Sequence, residues 1–400
     1  MSPSSSGRAP EPTPAIGLSA RSARVAPFLA MSILGLAGER EAAGMNVLHL
    51  EVGQPSSPTP RPALEAARRE LEHGLIGYTP SLGIPALRAR ISRHYRETYG
   101  VDVPAERVIV TTGSSAGFVL AFLALFDAGD RVAVSEPGYP AYRAILEALD
   151  IEPVPVRLTE ADAYVLTPGN VTRAAAGRPL NGILAMSPAN PTGTMMGRAP
   201  LAALCAYARD NGIPFISDEI YHGLTYAAPA VSALECRSDA VIINSFSKYF
   251  CMTGWRVGWM VVPAHMVDPV ERLAQNLYLS PPQVSQKAAL AAFDARDDME
   301  RIREGYARNR AMLLEELPKI GVTRMYPADG AFYIFADIGD FTGDSIAFCK
   351  ALLNEAGVAA APGVDFDPVH GNRFIRLSFA RSLDECREAV RRIGQWLGKR

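Results

Sequence analysis

The sequence has no surplus of charge, no paired cysteines and no long apolar run, and each absence removes a class of protein. Lys and Arg number 40 against 42 Asp and Glu in 400 residues, so no net field draws the chain to nucleic acid or to an anionic membrane surface. The five cysteines (Cys205, Cys236, Cys251, Cys349 and Cys386) are odd in number and lack the close spacing of a disulfide framework or a zinc site. That usage fits a reducing, cytoplasmic setting. The six histidines form no H-E-x-x-H pair, so no metal centre is expected. The longest apolar run, Phe118 to Phe126, is too short to cross a bilayer and reads as a buried helix. Residues 1–25 are rich in Ser, Pro and Arg but lack the apolar stretch of a secretory signal, and are expected to form a flexible tail.

What is present is alternation. Short apolar runs at residues 108–112, 131–135, 182–187, 213–217, 240–244 and 257–262 are separated mostly by helix-length segments. This pattern predicts an α/β fold with a largely parallel sheet flanked by helices. From 282 to 317 charges interleave with apolar residues at helical spacing, predicting a long helix that leads out of the sheet. Strands near 331–336 and 374–379 and helices near 345–356 and 383–397 then suggest a second, smaller α+β domain. The expected organisation is a tail (1–25), a segment packing on the small domain (26–60), a large domain (61–295) and the small domain (296–400).

Ligands of open parallel sheets sit beyond the carboxyl ends of the strands, so polar residues just after each run are the candidates. Lys248 is the only charged residue between Asp239 and Arg256 and lies between two apolar runs. Desolvation lowers a lysine's pKa and makes it a nucleophile and base, although a lone lysine more often snorkels at the surface. Its neighbours decide between the two. Asp218 follows the run at 213–217, where it can face a protonated ring nitrogen or cap a helix. Asn190, in SPANPTG from Ser187, and Tyr221, three residues after Asp218, can both bond a phenolic oxygen. Gly113, Ser114 and Ser115 precede the apolar helix, which makes them a phosphate site or a simple cap. Ser245 and Arg256 flank the lysine and can supply a hydroxyl and a charge to the same phosphate. Arg376 alternates with apolar residues in the run from Phe374, and either clamps a carboxylate or forms an internal ion pair.

Together these segments resemble the class I/II aminotransferases, the aspartate-aminotransferase-like group of fold-type-I enzymes that use pyridoxal 5'-phosphate (PLP). The stretch SFSKYFCMTGWRVG from Ser245 is similar to the family's lysine signature, and DEIY from Asp218, SPANPTG and IRLSFA occur in the family's order between about residues 46 and 397. The resemblance implies a seven-stranded, mostly parallel sheet with a smaller domain, and an enzyme that moves an α-amino group between an amino acid and a 2-oxo acid. The implied route is ping-pong, through a Lys248 Schiff base, with Asp218 and Tyr221 also catalytic. Asp218 would hold the pyridine nitrogen, Asn190 and Tyr221 the phenolic oxygen, and Tyr139 would stack on the ring. Ser114, Ser115, Ser245 and Arg256 would hold the phosphate, and Gly53, Asn190 and Arg376 the substrate. Tyr78 would reach the phosphate of the neighbouring subunit in a homodimer. A PLP-dependent lyase or synthase remains an alternative on this fold. A non-catalytic sensor module would need an N-terminal DNA-binding domain, where a tail of only about 25 residues is expected. The segment 275–286, which the resemblance places beside the side-chain pocket, is neutral, and this favours neutral or aromatic donors over aspartate.

Overall fold

The computed structural model describes residues 17–398. Residues 1–16 of the expected tail lie outside them; within them Ala20–Arg24 forms a short helix whose Arg21 and Arg24 pair with Asp150. In chain order the strands are β1 (Leu48–His49), β2 (Val108–Thr111), β3 (Arg131–Glu136), β4 (Glu152–Arg157), β5 (Gly182–Met186), β6 (Phe215–Asp218), β7 (Val241–Ser245), β8 (Gly258–Val261), β9 (Arg324–Met325), β10 (Tyr333–Asp337), β11 (Val358–Ala359), β12 (Ala361–Pro362) and β13 (Phe374–Ser378).

Seven of them form one sheet in the order β2-β8-β7-β6-β5-β3-β4. All run the same way except β8, which is antiparallel to both neighbours. The cause is the short connection: residues 246–257 contain only one 3₁₀ turn between β7 and β8, too little for the crossover that parallel strands require. Lys248 sits on this loop. β4 carries no continuous apolar run because Pro153 and Pro155 interrupt it. It is the edge strand, and the amides of Glu152 and Leu158 point to its one neighbour, so the two prolines fall where no partner needs an N–H.

Side chains alternate between the two faces of the sheet. On β5, Ile183 and Ala185 join one apolar cluster while Leu184 and Met186 join the other, so both faces are covered. The Ser114–Leu125 helix lies on one face and buries Phe118 and Phe122. A second sheet, β12-β13-β10-β9, is antiparallel, and β1 pairs with β11. Leu50, just past β1, accepts a backbone hydrogen bond of 2.7 Å from Ser378 on β13. This contact brings residues 51–53 alongside Arg376.

The long helix expected from 282 to 317 is instead two, Gln283–Ala292 and Arg296–Lys319, separated by a 3₁₀ turn at Phe293–Ala295. The turn drops the Phe293 ring against Phe246 and Phe250, with centroids 5.4 and 5.1 Å away, and Asp297 and Asp298 favour a fresh helix start. The helix at Ser345 is capped by Asp344 and widens after Ala351 into a π turn, Leu352–Ala356. Leu383–Leu397 begins at a capping box between Ser382 and Glu385. Among the described residues no helix is long and apolar enough to cross a membrane.

The start of the Ser114–Leu125 helix rests on β8 at Gly258, where a Cβ would lie 2.8 Å from the Asn244 carbonyl oxygen and 3.0 Å from the Ser114 nitrogen. Both contacts are backbone and cannot swing away. Gly258→Ala is therefore expected to lower unfolding stability by about 1–3 kcal/mol, measured by denaturant titration; an unchanged midpoint would show that the helix start has room to move.

Candidate active site

A cleft of about 190 Å³ opens where β5 and β6 end and where the loop after β7 turns back. It gathers Lys248, Asp218, Asn190 and Tyr221 from the large sheet, and Gly53 and Arg376 from the other side. Ser114, Ser115, Tyr139 and Arg256 complete the wall. Ten of the twelve residues to which the resemblance gives a role thus share one space.

Lys248 donates a hydrogen bond of 2.6 Å from Nζ to the carbonyl oxygen of Gly53. Part of the side chain remains accessible from the cleft, yet burial of the amine lowers its pKa to about 8, with Arg376 and Arg256 adding to the shift and Asp218 opposing it. Asp218 is buried. Burial pushes its carboxyl up to about 6, against hydrogen bonds from the Tyr142 hydroxyl and the Ile220 amide and the charge of Lys248, all of which pull it down. One oxygen takes the Tyr142 O–H and the other the Ile220 N–H at 3.0 Å, so the carboxylate is held in a single orientation.

Arg376 is fully buried on β13, without a carboxylate partner among the described residues. It donates to Asn190 Oδ1 at 3.0 Å and to the Glu51 carbonyl oxygen, and its Nε has no partner among the described residues. Of the two readings left open by the sequence, an internal ion pair is therefore not what this arginine makes. Its guanidinium lies between the rings of Tyr333 and Phe366, 4.3 and 4.6 Å from their centroids. The Tyr333 hydroxyl is in turn 2.6 Å from that of Tyr221.

The helix at Ser114 has Gly113 as its N-cap, at φ +80° and without a side-chain hydrogen bond, so its first amides stay open to a ligand. The Arg256 guanidinium packs against Gly113: a Cβ there would meet Nη2 at 2.4 Å. An uncapped helix start beside an arginine suits a phosphate, and a desolvated lysine facing a buried carboxylate suits an aldehyde on a ring with a basic nitrogen, so the residues present fit PLP.

Two candidates stand elsewhere. Ser245 does not line the cleft: its hydroxyl oxygen lies 2.8 Å from Ser247 Oγ and 3.1 Å from the Val257 carbonyl oxygen, and it is Ser247 that faces the space. The reason is the strand's alternation, since Ser245 closes β7 and the chain turns before Ser247. Tyr78 is 85% exposed and touches nothing in this cleft. Sequence reasoning missed Tyr142, Tyr333 and Ser247. Tyr142 was within reach, being one helical turn beyond Tyr139; Tyr333 carries no local signal, because its role comes from packing across β10 and β13.

The geometry defines the class: an α/β fold with a desolvated lysine, an uncapped helix start beside an arginine and a buried arginine without a carboxylate partner among the described residues. The chain belongs to the family described as aminotransferase class I and II, whose model matches residues 45–393 and whose members are PLP-dependent transferases of fold type I. The valine–pyruvate aminotransferase of Mycobacterium tuberculosis is 45% identical over 379 residues, covering 94% of this chain and 97% of the relative. Among solved structures, an aminotransferase from Mycobacterium tuberculosis is 44% identical with a TM-score of 0.93, covering 96% of this chain and all of that one. The aspartate aminotransferase of Thermus thermophilus with maleate is 32% identical with a TM-score of 0.89, covering 95% and 99%. The protein is an aminotransferase, and these relatives support transfer over the elimination or synthase alternative.

Because the Lys248 amine is neutral above about pH 8, where an ordinary lysine remains charged up to 10.5, its attack on an aldehyde should speed up early in a pH series. The rate of PLP uptake followed by absorbance is expected to rise with a midpoint near 8; a midpoint near 10.5 would mean that the amine is solvated.

Proposed function

We propose that this aminotransferase carries the α-amino group of a neutral aliphatic amino acid onto a small 2-oxo acid, with PLP held around Lys248. The first oxo acid leaves before the second arrives. The observation that carries this reading is the inventory of charge: among the described residues the cations lining the cleft are Lys248, Arg256 and Arg376. Each has a task, and none is left for a second carboxylate. Phe28, Met31, Val52 and Ile220 offer carbon instead. The name of the Mycobacterium tuberculosis relative, a valine–pyruvate aminotransferase, supports the same substrate class.

When bound, PLP supplies a carbonyl that takes up the amino group and a ring that accepts the electron pair left at the substrate's Cα. The chain's own residues do the rest. Lys248, whose amine burial brings down to about 8 and so within reach of its neutral form, takes the proton from Cα and returns it two atoms away, across the nitrogen. Asp218, oriented by Tyr142 and the Ile220 amide, keeps a proton on the ring nitrogen. Asn190 and Tyr221 orient the phenolic oxygen, and Tyr139 covers the ring face. The Ser114 and Ser115 amides, Arg256 and Ser247 hold the phosphate, with Ser245 supporting Ser247 from behind. Arg376 grips the α-carboxylate, and its unpartnered Nε gives it a donor to spare.

The same proposal includes a homodimer in which Tyr78 reaches the partner's phosphate. Tyr78 stands out from the surface together with exposed Leu75, Ile76, Leu277 and Leu279, an apolar group that a second copy can cover. Its loop is anchored from within the chain, since the Gly77 amide donates to Gln283 Oε1 at 2.9 Å. All five cysteines are free thiols, which suits a cytoplasmic location.

Purified protein supplied with PLP should develop visible absorbance that Lys248→Ala abolishes. In a panel of amino donors at equal concentration, valine and alanine should exceed aspartate by at least about tenfold in kcat/KM, a gap of about 1.4 kcal/mol. Aspartate and glutamate ahead of all others would refute the substrate class. Tyr78→Phe should weaken PLP binding by about tenfold through the loss of one charge-assisted hydrogen bond, read by equilibrium dialysis; unchanged binding would leave Tyr78 outside the site.

A further inference from the structure

We infer that Tyr333 is a positioning residue for amino transfer: its hydroxyl aims the Tyr221 phenol into the cleft, and its ring holds the Arg376 guanidinium flat for the substrate carboxylate. The inference rests on the function proposed above and adds to it a residue that the sequence did not mark.

The hydroxyl comes first. Tyr221 and Tyr333 are both buried, and burial raises both phenols above their ordinary pKa, so each keeps its proton. Their oxygens are 2.6 Å apart and share one hydrogen bond. Two phenols offer two hydrogens for that single contact, so one hydrogen must go elsewhere. The Tyr333 hydroxyl has no other hydrogen-bond partner among the described residues, and it is pressed against Gly53, where a Cβ would fall 1.8 Å from its oxygen. A hydrogen aimed at that Cα would bond nothing. If Tyr333 donates to Tyr221 instead, the Tyr221 hydrogen is left for an oxygen in the cleft, and every donor is used. A donor that itself receives a hydrogen bond is also polarised and donates more strongly.

The ring does separate work. It lies against the Arg376 guanidinium at 4.3 Å, with the Phe366 ring at 4.6 Å, while Asn190 and the Glu51 carbonyl hold the group by its nitrogens. Two rings and two hydrogen bonds restrict its orientation. Gly53 is part of the device, because any side chain there would displace the phenol that reaches Tyr221.

The two roles separate by substitution. A hydrogen bond to the cofactor's phenolic oxygen is needed most when the Lys248 nitrogen of the PLP-loaded protein is neutral, since no positive charge then balances that oxygen. Weakening the bond makes the nitrogen harder to deprotonate. Tyr333→Phe, which keeps the ring and its packing, should therefore raise the pH midpoint of the visible absorbance change by about half a unit to one unit and lower kcat by about three- to tenfold, with KM within about twofold of the parent. Tyr333→Leu, or Tyr333→Met should the leucine variant fail to fold, removes the ring as well and should raise KM for the amino acid by about tenfold. A Tyr333→Phe midpoint equal to the parent's overturns the role of the hydroxyl, and an unchanged KM in the variant without the ring overturns that of the ring. A parent protein that never takes up PLP would sink the proposed function instead, so the two failures are distinct.

Discussion

Taking the Lys248 amine out of water raises the free energy of its charged form, and much of the cleft follows from that. A neutral amine at working pH can attack a carbonyl and accept a proton, whereas a solvated ammonium can do neither. The lowered pKa is not local to the lysine: the strands beside the loop and the 51–53 segment bury the amine, and the charges of Arg376 and Arg256 add to the shift. Asp218 is the counterweight. It feels the same burial in the opposite sense, and three interactions pull its pKa back down so that a buried carboxylate can stay ionised.

Three cations in so small a space repel one another, which is why the two guanidiniums lower the lysine's pKa, yet each is held by partners of its own. Lys248 leans on a carbonyl, Arg256 on the Gly113 backbone, and Arg376 on an amide, a carbonyl and two rings, so none neutralises another's carboxylate. The cleft therefore keeps a positive potential for molecules that bring negative charge, which suits the proposed phosphate at one end and carboxylate at the other. What lies between is mostly carbon. That division of labour connects the electrostatics of the site to the kind of side chain it can accept.

Scaffold and site are joined through both backbone and side-chain contacts. The 3₁₀ turn at Phe293–Ala295 ends one helix so that its ring can fill the aromatic cluster behind the lysine loop, and β1 delivers Gly53 through its contact with β13. The first helix of the 26–60 segment, Leu29–Ala42, starts at the cleft: Asp365 accepts from the Leu29 and Ala30 amides, and the Phe28 ring lies edge-on to Tyr139 at 6.1 Å. These anchors come from parts of the chain hundreds of residues apart.

Local chemistry carried a great deal. The apolar runs are separate, strong signals, and the lone charge at Lys248, the acid at the end of β6 and the arginine within β13 were visible because each breaks an otherwise apolar pattern. The reversal of β8, the edge strand with its two prolines and the break at Phe293 were less legible, since each depends on which neighbour a segment meets and not on its own periodicity. The sequence by itself determined the layered α/β architecture and most of the groups that line the cleft, because hydrophobic periodicity and position after a strand are properties of short stretches. Only the tertiary structure decided that Ser247 and not Ser245 meets the cleft, that Tyr142 holds Asp218, and that Tyr333 joins Tyr221 to Arg376. These are contacts across strands and between distant segments, set by how side chains close-pack once the backbone is in place.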